Sequence, residues 1–150
     1  MTLITRPATE ADVAFIAPRL RPADLLEIGA SVKADPYDAL LRGLHSPDGC
    51  FVAETAAGVP VLIGGTSPSD SPLLGYVWMM GTQEVETHWL RVLRNTQSWI
   101  QQFKGDYQLL ANAVHEGNTL HMRWLKWAGF SFLRRFTYRG HGFYEFAKIV

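Results

Sequence analysis

The chain has 150 residues, of which 47% are hydrophobic and 19% are charged. This length and balance suit one globular domain over residues 1–150, with a core that needs no disulfides, and they exclude a largely disordered chain. The 14 basic residues are matched by 14 acidic ones, so the basic excess of a nucleic-acid-binding protein is missing and we expect no nucleic-acid partner.

The single cysteine, Cys50, excludes an internal disulfide, and its place at the start of an apolar run predicts a small buried hydrophobe in a reducing compartment. The N-terminal residues lack the pattern of a signal peptide. No window approaches the roughly 18 apolar residues of a transmembrane helix, so we expect no membrane span. A late group of basic residues forms either a patch for an anionic ligand or a solvated face: Arg123, Lys126, Arg134, Arg135 and Arg139.

The first third of the chain predicts one strand and three short helices. The strand covers residues 2–6, and Thr9 caps a helix that ends at Pro18. A second helix begins at Pro22. A third covers about residues 35–43, where an aspartate precedes a proline in the first turn.

The middle of the chain predicts three consecutive antiparallel strands followed by a long helix. The strands are residues 51–54, 59–63 and 73–80, and the Gly-, Ser- and Pro-rich residues 64–72 read as a hairpin loop. Apolar residues then recur at helical spacing over about residues 83–103.

The last third predicts a strand, a helix and a closing hairpin. The strand covers residues 109–114, Asn118 caps the helix, and Gly129 ends it. Two alternating segments, 130–138 and 143–149, form the hairpin. The complete order predicts an α/β protein with a mixed sheet of six to seven strands flanked by four to five helices.

This order of elements resembles the GNAT fold of acetyl-CoA-dependent N-acetyltransferases. Residues 118–130 are similar to the family's segment after the fifth strand, where an asparagine is followed eleven residues later by a Gly-Phe pair, and residues 4–12 are similar to a typical GNAT start. The resemblance implies that acetyl-CoA, if the chain is active, lies along the fourth strand and the start of the long helix. The residues implied to bind it are Val77, Trp78, Met79, Met80, Gly81, Thr82 and Asn118.

A narrower resemblance rests on two short segments. Residues 20–28 contain an Arg-Pro-x-Asp-x-x-Glu stretch, and residues 123–130 end in the Gly-Phe pair. Both are similar to the internal virion or morphogenesis proteins of T7-like podophages, a GNAT-related group of similar length. This resemblance implies a role in virion assembly or host takeover, a phage or host protein as partner, and a location in the host cytoplasm or the virion.

The chain departs from a GNAT enzyme at two places. The family binds the cofactor's pyrophosphate through backbone N–H groups at an Arg/Gln-x-x-Gly-x-Gly/Ala turn. Residues 80–88 have one glycine, no arginine, and two glutamates, Glu84 and Glu86. At a separation of ~5 Å and an effective dielectric of ~20, the repulsion between each carboxylate and a phosphate charge would cost on the order of 3 kcal/mol. Second, Leu125 stands where many members have the tyrosine that protonates the leaving thiolate.

An acetyltransferase also needs a base to deprotonate its amine substrate. His115 and Glu116, just after the fifth strand, are the candidates for it, and the alternative is that they are two polar loop residues without a chemical role. His88 and His121 lie within predicted helices, so we expect them to be partly exposed or hydrogen-bonded. No pair of histidines has metal-ligand spacing backed by carboxylates, and the sequence therefore predicts no metal.

Tryptophans supply candidates for both the core and a contact surface. Trp89 and Trp99 fall on the apolar stripe of the long helix. Trp124 and Trp127 are three residues apart and cannot both face inward on a narrow helix face, so one of them is a candidate for a protein contact.

Three functions remain open at the level of sequence. The first is a GNAT-fold phage protein that is not an efficient acetyltransferase, with no cofactor. The second is an N-acetyltransferase with an altered acetyl-CoA site, which transfers the acetyl group directly to an amine in a ternary complex. The third is a binding module for a host protein, anchored by tryptophans. The sequence leaves the oligomeric state and the choice between enzyme and non-enzyme open.

Overall fold

The computed structural model describes residues 3–31 and 35–150. Its strands are β1 (Ile4–Pro7), β2 (Cys50–Glu54), β3 (Pro60–Pro68), β4 (Leu74–Gly81), β5 (Leu109–His115), β6 (Ser131–Tyr138) and β7 (His141–Ile149). Its helices are α1 (Glu10–Ile16), α2 (Pro22–Ser31), α3 (Pro36–Leu44), α4 (Glu84–Thr87), α5 (Trp89–Lys104) and α6 (Thr119–Trp127). The predicted α/β architecture is confirmed, with seven strands in one sheet. Residue 2, where the predicted first strand begins, lies outside the described residues.

Two neighbouring strands in the middle of the sheet, β4 and β5, separate along part of their length. Its strand order is β1-β2-β3-β4-β5-β7-β6, and β4 and β5 are its one parallel pair of neighbours within the described ranges. These two strands pair only from Leu74 to Tyr76 and from Leu109 to Ala111. Beyond those residues they diverge, because β4 remains paired with β3 and β5 with β7. The result is a gap between the C-terminal halves of β4 and β5.

Helices cover both faces of the sheet, and the side chains of the strands contribute to two separate hydrophobic cores. Successive side chains point to opposite faces: Val52 and Ile63 pack with the core under α1–α3, whereas Ala53 and Leu62 pack with the core under α5 and α6. The second core contains the fully buried Trp99 and Trp124, each no more than 2% exposed. Among the described residues no helix is both long and apolar enough to cross a membrane.

The predicted loop over residues 64–72 is wrong in its first half. β3 continues to Pro68, so Gly64 and Gly65 are strand residues rather than turn residues. They are glycines because neighbouring backbone lies close: a Cβ atom at Gly65 would lie 2.7 Å from the Gly49 carbonyl oxygen, and one at Gly64 would lie 2.9 Å from that of Trp78. A glycine pair here signals close packing, and the turn itself is shorter than predicted.

The predicted long helix over residues 83–103 is divided into α4 and α5, which raises the number of helices to six. The first turn is closed by bonds from the Val85 N–H to the Thr82 oxygen and from the Glu86 N–H to the Gln83 oxygen. These bonds span three residues and wind the chain more tightly than an α-helix. The chain realigns at His88 before α5 begins.

The end of α6 follows the prediction. Gly129 has φ +93°, the left-handed conformation that ends a helix, and the Phe130 N–H donates to the Leu125 oxygen. Trp124 faces the core while Trp127 is 60% exposed, so only one of the two faces inward, as predicted.

Replacing Leu125 by alanine should lower the free energy of unfolding by about 2–5 kcal/mol, because its side chain is 1% exposed and its loss leaves a cavity in the core. Leu90→Ala on α5 is the matched control, since Leu90 is 66% exposed and the change should stay within about 0.5 kcal/mol. Urea unfolding of the two variants checks this, and equal effects would contradict the described packing.

Candidate functional site

A cavity of about 190 Å³ occupies the gap between β4 and β5. Both strands line it, and α2, α6 and the β6–β7 hairpin close it. Trp78 does not fill this space, because its ring packs against α3 at Gly43, where a Cβ would collide with it. The lining residues are Glu27, Ser31, Val77, Trp78, Met79, Met80, Asn112, Ala113, His121, Phe136, Tyr138, Phe143 and Phe146.

The backbone of β4 that faces the gap is largely occupied by groups of the chain itself. The Val77 carbonyl accepts from the Asn112 side chain (2.9 Å), and the Gly81 N–H donates to Asp24 Oδ2 (2.9 Å). Because the direction of backbone hydrogen bonding alternates along a strand, the backbone N–H and C=O groups of Met79, between Val77 and Gly81, also face the gap. Of the predicted cofactor contacts on this edge, two already have partners within the chain.

A buried polar network holds α2 across the ends of β4 and β5. Asp24 Oδ1 accepts from the Asn118 amide (2.9 Å), and Asp24 Oδ2 accepts from Arg21 (3.4 Å) as well as from Gly81. Arg21 also donates to Asn118 Oδ1 (3.4 Å). Asp24 is 2% exposed and Asn118 0%, so each bond in the network is shielded from water.

The sequence predicted that the Asn118 side chain caps α6, and this prediction is wrong. Asn118 lies at the N-cap position, and its backbone oxygen accepts from the Met122 N–H, but its side chain makes no capping bond. The side chain turns inward to Asp24 and Arg21, because a buried carboxylate needs donors more than a solvated helix end does.

Glu27 is the carboxyl group in the lining of the cavity. It is 7% exposed, and its Oε1 accepts from the His115 backbone N–H (2.7 Å). Burial raises the pKa of Glu27 to about 7, the His115 N–H opposes this rise, and the nearby Asp24 charge adds to it. Near neutral pH this carboxyl can hold or release a proton, which is the property required of a general base.

The two candidate bases predicted from sequence lie beside the cavity rather than in its lining. The His115 ring accepts from the Gly117 N–H at Nδ1 (2.9 Å), so its proton is at Nε2, which lies 3.0 Å from His141 Nδ1. Glu116 accepts from Arg135 (2.8 Å), and this bond lowers the pKa of Glu116. A carboxylate held in this way is a weaker base than Glu27.

The start of the divided helix offers little to a phosphate. The Thr82 N–H donates to the Val61 oxygen (3.0 Å), and the Glu84 N–H donates to Thr82 Oγ1 (3.2 Å). The α4 helix has four residues, and its first turn carries Glu84 and Glu86. Leu125 lies in the core and not at the cavity.

His88 and His121 differ in their surroundings. His88 lies 3.1 Å from Glu84 Oε2 and 2.7 Å from Arg91 Nη1, so it is hydrogen-bonded as expected. The Nδ1 atom of His121 is buried and has no hydrogen-bond partner among the described residues. The His121 residue as a whole is partly exposed and lines the cavity, so the expected partial exposure is confirmed.

Sequence reasoning missed Glu27, Asp24 and Arg21 as site residues. The available signal was the Arg-Pro-x-Asp-x-x-Glu stretch, in which charged residues recur every three positions on an otherwise apolar helix. That spacing places Asp24 and Glu27 on one face of α2, with Arg21 directly before the helix, and their bonds join this face to β4, β5 and the residue before α6.

Comparison with known proteins identifies the fold. No family model matches the chain, and no curated protein matches its sequence. A GNAT-family acetyltransferase from Bacillus anthracis superposes with a TM-score of 0.74 at 11% identity, over 99% of this chain and 95% of that one. Ribosomal-protein-alanine N-acetyltransferase from Brucella melitensis superposes with a TM-score of 0.72 at 16% identity, over 99% of this chain and 100% of that one. Aminoglycoside acetyltransferase AAC(6')-Ib, solved with coenzyme A, superposes with a TM-score of 0.71 at 14% identity, over 99% of this chain and 95% of that one.

These likenesses show that the chain has the GNAT fold. The order of elements and the Asn118 to Phe130 spacing predicted it, and that part of the sequence interpretation is confirmed. At these identities the likeness defines the fold and leaves the activity to the residues of the site.

Glu27 should make stability depend on pH. Because its pKa is about 7 in the folded chain and 4.5 ordinarily, the folded state binds the proton more tightly, so the free energy of unfolding falls as pH rises between these values. The contribution is at most roughly 3 kcal/mol. In urea unfolding with EDTA at pH 5 and pH 8, Glu27→Gln should lose less stability than the wild type.

Glu116→Gln is the control for this measurement. The pKa of Glu116 is lowered by Arg135, so its contribution has the opposite sign and is lost as pH falls. A Glu27→Gln variant with the same pH dependence as the wild type would show that Glu27 titrates normally and does not lie in the described surroundings.

Proposed function

We propose that this chain is a GNAT-fold phage protein that is not an efficient acetyltransferase and that acts in virion assembly or host takeover. The observation that carries the proposal is the bond from the Gly81 N–H to Asp24 at the end of β4. This N–H is one of the groups that the family resemblance assigns to the cofactor. Here a carboxylate of the chain itself accepts from it, inside a network that contains a buried arginine.

Two further features support a loss of cofactor chemistry. The turn after β4 presents Glu84 and Glu86, and their charges oppose a pyrophosphate. Leu125 is buried in the core at the position of the family's proton-donating tyrosine. A leaving thiolate would therefore find no acid there.

The phage role is supported by the residues that carry the narrower resemblance. Arg21, Asp24 and Glu27 of the Arg-Pro-x-Asp-x-x-Glu stretch all belong to the buried polar contacts beside the gap. Trp127 is 60% exposed on α6 and is the side chain that we propose for contact with a phage or host protein. We propose the host cytoplasm or the virion as the location of this role.

A second candidate is an N-acetyltransferase with an atypical cofactor site. It is favoured by the cavity between β4 and β5 and by Glu27, whose pKa of about 7 suits a general base. In this case acetyl-CoA would lie along the gap-facing edge of β4 near Met79, and Glu27 rather than His115 or Glu116 would deprotonate the amine.

A thermal-shift measurement with acetyl-CoA separates the two candidates. At ~1 mM, a ligand of 10 µM Kd would raise the Tm of a domain of this size by roughly 5–10 °C. We expect no rise for the wild type. A rise of that size which persists in Asn95→Ala, an asparagine on α5 away from the gap, and disappears in Asn118→Ala would contradict the first candidate and support the second.

The assembly role predicts that the chain accompanies particles of its phage. Mass spectrometry of gradient-purified virions and of assembly intermediates should detect it at a constant ratio to the capsid protein. For a role in host takeover, it should instead co-purify from infected cells with a host protein, and Trp127→Ala should weaken that complex. Absence from both fractions, together with normal growth of a phage that lacks the gene, would contradict the proposal.

A further inference from the structure

Three potential metal ligands meet beside the gap. One ligand atom each of Asp24, Glu27 and His121 lies within 4.8 Å of the other two. Asp24 and Glu27 are one turn apart on α2, and His121 lies in the first turn of α6. They are far apart in sequence, which is why the spacing of histidines alone predicted no metal.

The histidine has an unused nitrogen at this place. Its Nδ1 is buried without a hydrogen-bond partner among the described residues. Burial lowers the pKa of His121, so the ring is neutral near pH 7, and the neutral ring is the form that binds metals. A buried nitrogen without a partner is uncommon, and it calls for an occupant such as a water, a proton or an ion.

The charges around the cluster favour a cation. Asp24 and Glu27 bring two negative charges when ionised, and Arg21, 3.4 Å from Asp24, brings one positive charge. Without a cation, burial and the nearby Asp24 charge both disfavour ionisation of Glu27. A divalent ion removes that repulsion and leaves one net positive charge, which an anionic group or hydroxide in the cavity can balance.

We propose that Asp24, Glu27 and His121 bind one divalent transition-metal ion, for which Zn²⁺ is the best match. One imidazole and two carboxylates suit Zn²⁺ better than Mg²⁺ or Ca²⁺, which prefer oxygen ligands alone. Three protein ligands leave a coordination position open. His121 lines both the 190 Å³ cavity and a small neighbouring cavity of about 20 Å³, and Glu27 lines only the larger one, so water can reach the ion from the gap.

The proposed ion fastens α2 to α6 and does not depend on the proposed function. Both carboxylates already have hydrogen bonds from the chain, since Asp24 accepts from the Asn118 amide and the Gly81 N–H, and Glu27 accepts from the His115 N–H. Such bonds orient ligating carboxylates and strengthen metal binding. They also keep both carboxylates fixed when no ion is bound.

Co²⁺ binding tests the proposal, because Co²⁺ replaces Zn²⁺ at such sites and reports imidazole and carboxylate ligation in the visible spectrum. The full chain is treated with EDTA, dialysed and titrated with Co²⁺, and then with Zn²⁺ in competition. We expect one bound ion per chain, a rise in Tm with Zn²⁺, and no comparable rise with Mg²⁺ or Ca²⁺.

The variants His121→Gln and Glu27→Gln should each raise the apparent Kd for Co²⁺ by at least about 10-fold. His88→Gln is the matched control, since His88 also lies beside a carboxylate, Glu84, but away from the gap. The proposal is overturned if the wild type shows no Co²⁺ spectrum and no Tm rise at millimolar metal, which leaves a proton or water as the occupant. It is also overturned if His88→Gln abolishes binding while His121→Gln does not, or if Mg²⁺ stabilises as well as Zn²⁺.

Discussion

A buried carboxylate must find donors, and the Asp24 side chain satisfies this requirement by joining three parts of the fold. It accepts from the Gly81 N–H at the end of β4, from the Asn118 amide before α6, and from Arg21. Removing one partner of such a group costs several kcal/mol, because an uncompensated charge remains. The position of α2 across the gap therefore depends on this carboxylate, together with the bond from the His115 N–H to Glu27.

The same requirement links the fold to the proposed loss of cofactor chemistry. The GNAT sheet with its diverging β4 and β5 is preserved, because that shape follows from strand pairing and two packed cores. The N–H groups of Gly81, Thr82 and Glu84, near which the family resemblance implies the cofactor, donate to acceptors of the chain itself. A cavity remains in the gap, but the carboxyl group in its lining, Glu27, suits a cation or an amine better than a phosphate.

The sequence predicts the fold well where the evidence is local. The capping box at Thr9, the proline after Asp35 and the left-handed Gly129 all lie where predicted, because each is decided within a few residues. The errors arise where tertiary packing overrides a local signal. Gly64 and Gly65 read as a turn, yet close backbone contacts place them in β3. Asn118 reads as a cap, yet the need of Asp24 for donors turns its side chain inward.

The candidate site is the least predictable part because its contacts join distant residues. The sequence singled out His115 and Glu116 by their position after β5, but it gave no reason to join them to α2. In the structure Glu27 lines the cavity, and its partner is the backbone N–H of His115 rather than the ring. Only a three-residue spacing of charges on α2 hinted at this, and no local principle says which strands that face will meet.

The long reach of these bonds has a consequence for how the chain folds. Asp24 and Asn118 are 94 positions apart, and Glu27 and His115 are 88 apart, so closing either contact orders most of the polypeptide at once. Contacts of such separation slow folding, since the loop entropy is lost before the contact rewards it. We therefore expect the α2 segment to dock late in folding, after the more local strand pairs have formed. Until it docks, the polar network that crosses the gap between β4 and β5 is incomplete.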